Sequence, residues 1–227
     1  MQHRATALVT GLLARLSVGR KLMLIYLLDL TAVIFVSAIL INEKFIAIDF
    51  TRKEQSGTAY IAGVRDALID TARLGGGHAV PPGAPRVHAE TVKAAEAMHG
   101  RGLDAAELNG ALAAALVALD GASPATTTAY EDPVAGALAR GRDLLTRVGN
   151  QSNLILDPDL DSYYTMSLVV LRYPELLEVA HDIGRRLRAR EGSGGPPGAE
   201  ERTAFLIAEG RLDAVANGTT RRIGLFG

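Results

Sequence analysis

The sequence predicts an all-α protein in which one N-terminal transmembrane helix precedes an elongated, antiparallel helical bundle. Three observations lead to this fold class. A long apolar stretch lies near the N-terminus, apolar residues elsewhere recur at the three-to-four-residue spacing of amphipathic helices, and no alternating run typical of a β-strand occurs. Alanine, leucine and arginine, which favour helix, also dominate the composition.

The composition and the motifs exclude several classes of function. The 227 residues carry a formal net charge of −1, which gives no electrostatic basis for binding nucleic acid. Cysteine is absent, so disulfides, thiol catalysis and cysteine-ligated zinc are excluded. Neither a Gly-x-Ser-x-Gly elbow nor a phosphate-binding loop is present. We therefore predict no catalytic residue, no cofactor and no metal site.

The apolar stretch runs from Leu22 to Ile41, which is 20 residues with a single charge at Asp29. A helix of that length spans roughly 30 Å, the thickness of the hydrocarbon core. The residues before it are basic, and those after it are mixed in charge. The positive-inside rule therefore places residues 1–21 in the cytoplasm and residues 42–227 outside the membrane that residues 22–41 cross.

Two alternatives remain open for this stretch. It could be a cleaved signal peptide with Val36-Ser37-Ala38 as the cleavage site, but the apolar run continues past that site, which favours a permanent anchor. Asp29 would cost about 2.5–3.5 kcal/mol if it faced lipid at the helix centre. It is expected to meet its twin, a neighbouring helix or water; a role as a conformational switch is the less favoured alternative.

Beyond the membrane the sequence predicts a series of helices separated by glycine- and proline-rich loops. The first external helix, to residue 74, has an amphipathic face formed by Tyr60, Ile61, Val64, Leu68 and Ala72. Two shorter helices cover residues 87–98 and 103–119. The inward face of the next consists of Val134, Leu138, Leu145, Val148, Ser152 and Ile155. A helix to residue 190, with a kink near Pro174, and a last helix with Phe205, Ile207 or Leu206, Leu212 and Val215 inside complete the series.

An acidic joint lies at the centre of the external region, between two of these helices. Its sequence is Asp157-Pro158-Asp159-Leu160-Asp161, and Tyr163-Tyr164 follow directly. Asp157 can cap free backbone N–H groups, Pro158 suits the first position of a helix, and Asp159 and Asp161 suit the positive end of its dipole. We predict that the joint starts a helix and sets the angle to the preceding one.

The joint and its surroundings closely resemble a segment of the extracytoplasmic input region of bacterial transmembrane receptors. These receptors are methyl-accepting chemotaxis proteins, sensor histidine kinases and diguanylate cyclases with helical sensor domains. The residues that carry the resemblance are Asn153, Asp157 to Tyr164, Met166 and Pro174-Glu175-Leu176, together with Lys53-Glu54 and the region from Gly57 to Tyr60. Ser167 departs from the pattern, which has an acidic residue there.

The resemblance implies a sensory input region in the bacterial inner membrane, with residues 42–227 in the periplasm. It implies a homodimer whose long helices shift when a small molecule or a periplasmic binding protein binds. Kinase or cyclase activity would belong to a C-terminal output module, which these residues do not include, so the chain itself is not predicted to be an enzyme. The alternative is a membrane-anchored periplasmic adaptor or structural protein that sends no signal.

If a small ligand binds near the joint, Tyr163, Tyr164 and Arg172 are the candidate contacts. Tyrosine offers an aromatic wall with a polar tip, and arginine offers a fork for a carboxylate. Packing of the tyrosines and solvation of Arg172 are the simpler interpretation. Asp157, Asp159 and Asp161 also resemble the start of a calcium loop, but Ser162 and Leu168 stand where that loop needs glycine and glutamate, so helix capping is favoured.

Overall fold

A computed structural model of the chain describes residues 17–76, 78, 81–121, 131–156, 164–191, 196 and 198–223. These residues form six α-helices and, within the described ranges, no strand, which confirms the all-α prediction. The helices are α1 (Val18–Gly75), α2 (Ala84–His99), α3 (Ala106–Gly121), α4 (Glu131–Gln151), α5 (Tyr173–Glu191) and α6 (Ala199–Ile223). The chain divides into two compact units, Met1–Asp49 and Phe50–Gly227.

The described part of the first unit is the N-terminal part of α1. Its large apolar side chains are all exposed, from Leu22 through Ile41 and on to Phe45, Ile46 and Ile48. In the described part of the chain, α1 is the one helix long and apolar enough to span a membrane, judged by length and composition. An apolar surface of this length that no protein side chain covers is what a lipid-facing segment requires.

The second unit is a helical bundle with one apolar core. Its largest fully buried side chains come from α1, α2, α3 and α4 and from the loop before α3: Tyr60, Val64, Leu68, Val92, Leu103, Leu112, Leu116, Leu119, Val134, Leu138, Leu144 and Leu145. Helices α2 and α3 run antiparallel, because Arg86 at the start of α2 pairs with Asp120 at the end of α3 at 3.1 Å. Bundle packing of this kind is the coarse architecture that the sequence predicts.

The predicted faces of α1 and α4 are confirmed. Tyr60, Ile61, Val64 and Leu68 of α1 are buried, and Ala72 packs against the same core. On the α4 side, Val134, Leu138, Leu145, Val148 and Ser152 are buried, and Ile155 is half-buried. Apolar residues at helical spacing therefore identified the inward faces correctly, because each face has to meet the same core.

Helix α4 ends earlier than the apolar spacing suggests. It stops at Gln151, and a short 3₁₀ turn, Leu154–Leu156, replaces the last predicted helical turn. The cause is local: Asn153 has a φ of 65°, a left-handed conformation that a helix cannot continue through and that asparagine tolerates better than most residues. The backbone therefore changes direction before the acidic joint is reached.

The helix before α5 contains an irregular turn next to Pro174. Residues 164–166 are α-helical, Ser167–Arg172 form a π-helical turn, and α5 follows at once. Proline lacks a backbone donor and crowds the carbonyl four residues earlier, so a wider turn at this point accommodates it. The π-helical turn, which contains one extra residue, therefore lies directly before Pro174, where the sequence predicts a kink.

The predicted inward face of α6 is partly wrong. Ala208 and Val215 are the buried residues, whereas Leu206 and Ile207 are 66% and 61% exposed. Phe205 and Leu212 are half-buried. By spacing alone, either Leu206 or Ile207 could belong to the inward face of α6. In the structure Ala208 is buried in their place, where α6 packs against α5. The side of α6 that carries Leu206 and Ile207 therefore remains apolar and exposed.

Candidate functional site

The predicted joint lies outside the described residues: Asp157, Pro158, Asp159 and Asp161 all fall there, and so does Tyr163 of the predicted ligand site. The capping and calcium interpretations of the aspartates lie there with them. The structure describes Tyr164 and Arg172 from the predicted ligand site. Among the described residues no group of three or more histidine, aspartate and glutamate side chains is placed to hold a metal ion.

Tyr164 and Arg172 both lie in the segment that leads into α5. Tyr164 is half-buried at the start of the helical segment. Arg172 ends the π-helical turn, and its side chain is 36% exposed, with Nη1 at 3.7 Å from Oε2 of Glu175. At this distance the pair is a weak one, and Arg172 stays a predicted ligand contact.

Gly57, in the first stretch that resembles receptor sequences, lies against Ser152, the residue just before the second stretch. Gly57 of α1 is buried, and a Cβ atom at this position would collide with the Cβ and Oγ atoms of Ser152. Ser152 itself is fully buried and donates its hydroxyl to the carbonyl of Val148 at 2.7 Å. The backbone of α1 therefore packs directly against the Ser152 side chain, and only glycine fits at position 57 without a shift.

Helix α1 meets the bundle closely a second time at its C-terminal end. A Cβ atom at Gly75 would lie 2.5 Å from Nδ1 of His181, which is 7% exposed, and 2.7 Å from a methyl carbon of Val134. The carbonyl oxygen of Gly75 accepts a hydrogen bond from Nη2 of Arg188 at 2.6 Å. Arg188 thus satisfies one of the free carbonyls at the end of α1 and ties that end to α5.

An ion pair with one strongly buried partner connects α4 to α5. Nη1 of Arg142 donates to Oε2 of Glu178 at 2.8 Å, and the Glu178 side chain is 16% exposed. Burial raises the pKa of Glu178 above its ordinary value, and the negative charges of Asp143 and Glu175 raise it further. The positive charges of Arg142 and Arg211 lower it, but by less. The other carboxylate oxygen, Oε1, is buried without a hydrogen-bond partner. The charged form of Glu178 is therefore less stable here than in water.

We expect Glu178 to give the stability of the protein a distinct pH dependence. Because its pKa is higher in the folded protein, its contribution is greatest below its ordinary pKa of 4.5 and is lost as the pH rises through the folded value. Wild type should therefore lose stability relative to Glu178→Gln as the pH rises from 4.5. Urea denaturation of the detergent-solubilised full chain at a series of pH values measures this difference, and a difference that is constant with pH would contradict the assignment.

Asp182, one turn further along α5, supplies a control of opposite sign. Burial disfavours its charge, but hydrogen bonds from Arg186 and Arg185 at 2.9 and 3.0 Å outweigh it and lower the pKa of Asp182. Its contribution is present above the ordinary pKa of 3.8 and is lost as the pH falls through the lower folded value. The difference in the free energy of unfolding between Asp182→Asn and wild type should therefore change with pH below pH 3.8 and stay constant above pH 4.5.

A buried hydrogen-bond network fastens α1 to α2 and α3. Tyr60 Oη donates to Oε2 of Glu96 at 2.9 Å and accepts from Nδ2 of Asn109 at 2.6 Å. Nδ2 of Asn109 also donates to the carbonyl of Val92 at 2.7 Å. Burial raises the pKa of the Tyr60 hydroxyl, so it stays protonated and acts as a donor. These bonds satisfy the polar atoms of the core and offer no open site.

A groove lies between α5 and α6. It has a volume of about 600 Å³ and is lined by Ile183, Arg190, Arg202, Phe205, Leu206, Glu209 and Leu212. Neither Tyr164 nor Arg172 lines it. Sequence reasoning missed this groove, because it placed Leu206 or Ile207 in the core; the doubled apolar positions of α6 were the signal that one of them remains outside.

Comparison with known proteins does not identify a relative. No protein-family model, no curated protein and no solved structure matches the chain. The resemblance to receptor input regions therefore remains a prediction from the residues quoted above. Of those residues, Gly57 lies against Ser152, which immediately precedes Asn153, and the joint itself falls outside the described ranges.

Proposed function

We propose that the chain is the extracytoplasmic sensory input region of a bacterial transmembrane receptor. The proposal rests on the similarity of residues 153–166 and 174–176 to such regions, and two structural features support it. One long apolar helix is present, and the remaining helices form a bundle. In this proposal the chain lies in the inner membrane, residues 1–21 are cytoplasmic, and residues 42–227 are periplasmic.

The observation that carries the mechanism is the continuity of α1. Val18–Gly75 is one uninterrupted helix, so the apolar segment and the first helix of the bundle share one hydrogen-bonded backbone. Within the bundle, Gly57 and Gly75 are the points where α1 meets Ser152 and His181 most closely. A ligand or a periplasmic binding protein that favours one arrangement of these contacts would displace α1 by an ångström or two, which is a sufficient signal.

The proposed topology can be tested because the chain has no cysteine. We expect Ala94→Cys, at an exposed position on α2, to react with a membrane-impermeant maleimide in intact spheroplasts. Ser17→Cys, at an exposed position before the apolar segment, should react only after the membrane is permeabilised. Labelling in the opposite order would place the bundle in the cytoplasm and refute the proposal.

The proposed homodimer places α1 next to its twin near the membrane. Ile41, Phe45 and Ile48 are exposed and spaced by four and three residues, so they share one face of α1. We expect Phe45→Cys copies to cross-link on mild oxidation in native membranes. Glu43→Cys should cross-link much less, because two residues correspond to about 200° around a helix. Equal cross-linking at both positions would contradict a specific dimer.

The rate of cross-linking at Phe45→Cys also distinguishes a receptor from an adaptor. Thermal-shift measurements on the full chain in detergent, against amino acids, organic acids and purines, identify a compound that stabilises it. For a receptor, this compound should also change the cross-linking rate of Phe45→Cys. Stabilisation without any change in that rate contradicts signalling and favours an adaptor. Loss of stabilisation in Arg172→Ala would support the ligand site at Arg172, and its survival would remove Arg172 from that site.

A further inference from the structure

One side of the apolar part of α1 carries a seven-residue repeat without any charge. Residues 22–49 contain four charged side chains, Asp29, Glu43, Lys44 and Asp49. A seam between two long helices uses two positions of each seven-residue repeat, three residues apart. Only one such pair of positions avoids all four charges. Its members, which are all exposed and which we call the α1 seam, are Leu24, Leu27, Thr31, Ile34, Ala38, Ile41, Phe45 and Ile48.

The polar side chains of this part of α1 leave the seam free for another helix. Asp29 and Glu43 are two full repeats apart, so they share one position, which lies on the side of the helix opposite the seam. Thr31 is the one seam residue with a polar side chain, and its hydroxyl donates to the carbonyl of Leu28 at 2.7 Å. The seam therefore presents neither a charge nor an unsatisfied donor to a neighbouring helix.

A groove in the seam has the form of a packing site for one side chain. It has a volume of about 300 Å³ and is lined by Ile41, Lys44, Phe45 and Ile48, with Leu40 at its edge. The first four residues have the spacing of the set that forms a hole in knobs-into-holes packing. In a parallel, in-register pair of identical helices, the side chain that enters this hole is Phe45 of the second copy.

The charges beside the groove are complementary between two parallel copies. In such a pair, the residue that flanks the seam on one helix faces the residue five positions further along the other helix. Five positions after Lys44 is Asp49, and both are exposed. Within one helix these two residues lie about 140° apart, so they cannot pair with each other there. Two copies related by a two-fold axis would form this ion pair twice.

We propose that α1 binds a second copy of itself through the α1 seam, parallel and in register, with Lys44 of each copy paired with Asp49 of the other. Asp29 then faces away from its twin and meets a neighbouring helix or water. The inference rests on the membrane-spanning homodimer of the proposed function and assigns its face and register. It does not depend on signalling, because an adaptor could form the same seam.

Cysteine cross-linking of the full chain in native membranes tests the face. We expect Ile34→Cys, in the seam, to form a disulfide-linked dimer when a membrane-permeant oxidant is added. Asp29→Cys should react about tenfold more slowly, because its Cβ atom would lie too far from that of its twin for a disulfide. Faster reaction at Asp29→Cys would place the twin on the charged side, and equal rates would mean that lipid covers the seam. Either result would overturn the proposal.

Exchange of charge between copies tests the register. Copies with Lys44→Glu and copies with Asp49→Lys, both also carrying Ile34→Cys and tags of different mass, are produced together. Each substitution alone opposes like charges in a homodimer, whereas the mixed dimer regains both ion pairs. We expect the ratio of mixed dimers to homodimers to rise about fivefold above that of random mixing, as weak surface pairs allow.

Glu43→Lys is the matched control for this exchange, because it reverses a charge beside Lys44 on the side away from the seam. Mixed with copies that retain Glu43, it should give random mixing. Random mixing of the Lys44→Glu and Asp49→Lys copies, with cross-linking at Ile34→Cys intact, would overturn the register while leaving the proposed function in place. Failure of the proposed function would appear instead in the topology labelling at Ala94→Cys and Ser17→Cys.

Discussion

Leu68→Ala is expected to destabilise the bundle by about 2–5 kcal/mol, the largest effect that we predict for a single substitution. Leu68 is 1% exposed in α1, and its side chain fills the space that a Cβ atom at Gly141 of α4 would occupy. Removing three carbon atoms at this α1–α4 contact leaves a cavity. Gly141 has no side chain that could fill it. Urea denaturation of the detergent-solubilised full chain, followed by circular dichroism, measures the loss.

The same substitution at Leu206 is the matched control. Leu206 was a candidate for the core by its helical spacing, but it is 66% exposed in the structure. Leu206→Ala should therefore change the free energy of unfolding by less than about 0.5 kcal/mol. Comparable losses at the two positions would mean that α6 is packed on the face that the sequence favoured, and the assignment of Ala208 and Val215 to the interior would be wrong.

Gly57→Ala should be the second most damaging change, at about 1–3 kcal/mol from overpacking. The added methyl group would collide with Ser152, whose Oγ is held by its bond to the Val148 carbonyl at 2.7 Å and cannot move aside freely. Helix α1 would have to retreat from α4 to accept it. Since alanine favours helix more than glycine does, destabilisation here can only come from the tertiary contact.

Two further variants isolate that contact. Adding Ser152→Gly to Gly57→Ala removes the two closest atoms that the new methyl group meets and leaves only Cδ1 of Leu154 at 3.0 Å, so we expect the double variant to be more stable than the sum of the single effects predicts. Gly110→Ala is made at a helical glycine with no neighbouring atom within 4 Å, so it should stabilise the chain by about 0.5–1 kcal/mol. Strict additivity of the first pair would show that Gly57 and Ser152 do not touch.

The close approach at Gly57 also bears on the proposed mechanism. A side chain packed directly against a glycine has few intermediate arrangements, so a displacement of α1 against Ser152 would be stepwise. In the proposed receptor, Gly57→Ala should therefore alter the cross-linking rate of Phe45→Cys, whereas Gly110→Ala should leave it unchanged. The comparison connects a packing defect in the bundle to the helix that carries the apolar segment.

Much of the fold could be predicted because its signals are local. The apolar run from Leu22 to Ile41 identifies the membrane-spanning candidate, and the spacing of Tyr60, Val64 and Leu68 identifies the buried face of α1. Neither inference needs a partner, because a helix with one apolar side has to bury it. Leu206 and Ile207 mark the limit of this reasoning: adjacent apolar residues define two possible faces, and periodicity does not choose between them.

The candidate site could be predicted only in part. Tyr164 and Arg172 are eight residues apart and were combined in one predicted site from the chemistry of their side chains alone, and the third member, Tyr163, lies outside the described residues. Glu178, in contrast, gave no signal in the sequence. Its burial and its unpartnered oxygen result from the meeting of α4 and α5, which the order of residues along one helix does not reveal.

The sequence by itself determined the helical class, the apolar segment and the inward faces of α1 and α4, because backbone hydrogen bonds and amphipathic spacing act over a few neighbouring residues. Only the tertiary structure decided that Gly57 touches Ser152, that Arg188 caps the end of α1, and that α6 leaves Leu206 beside an open groove. Each of these depends on residues far apart in the chain, and close packing selects one arrangement among several that local preferences allow.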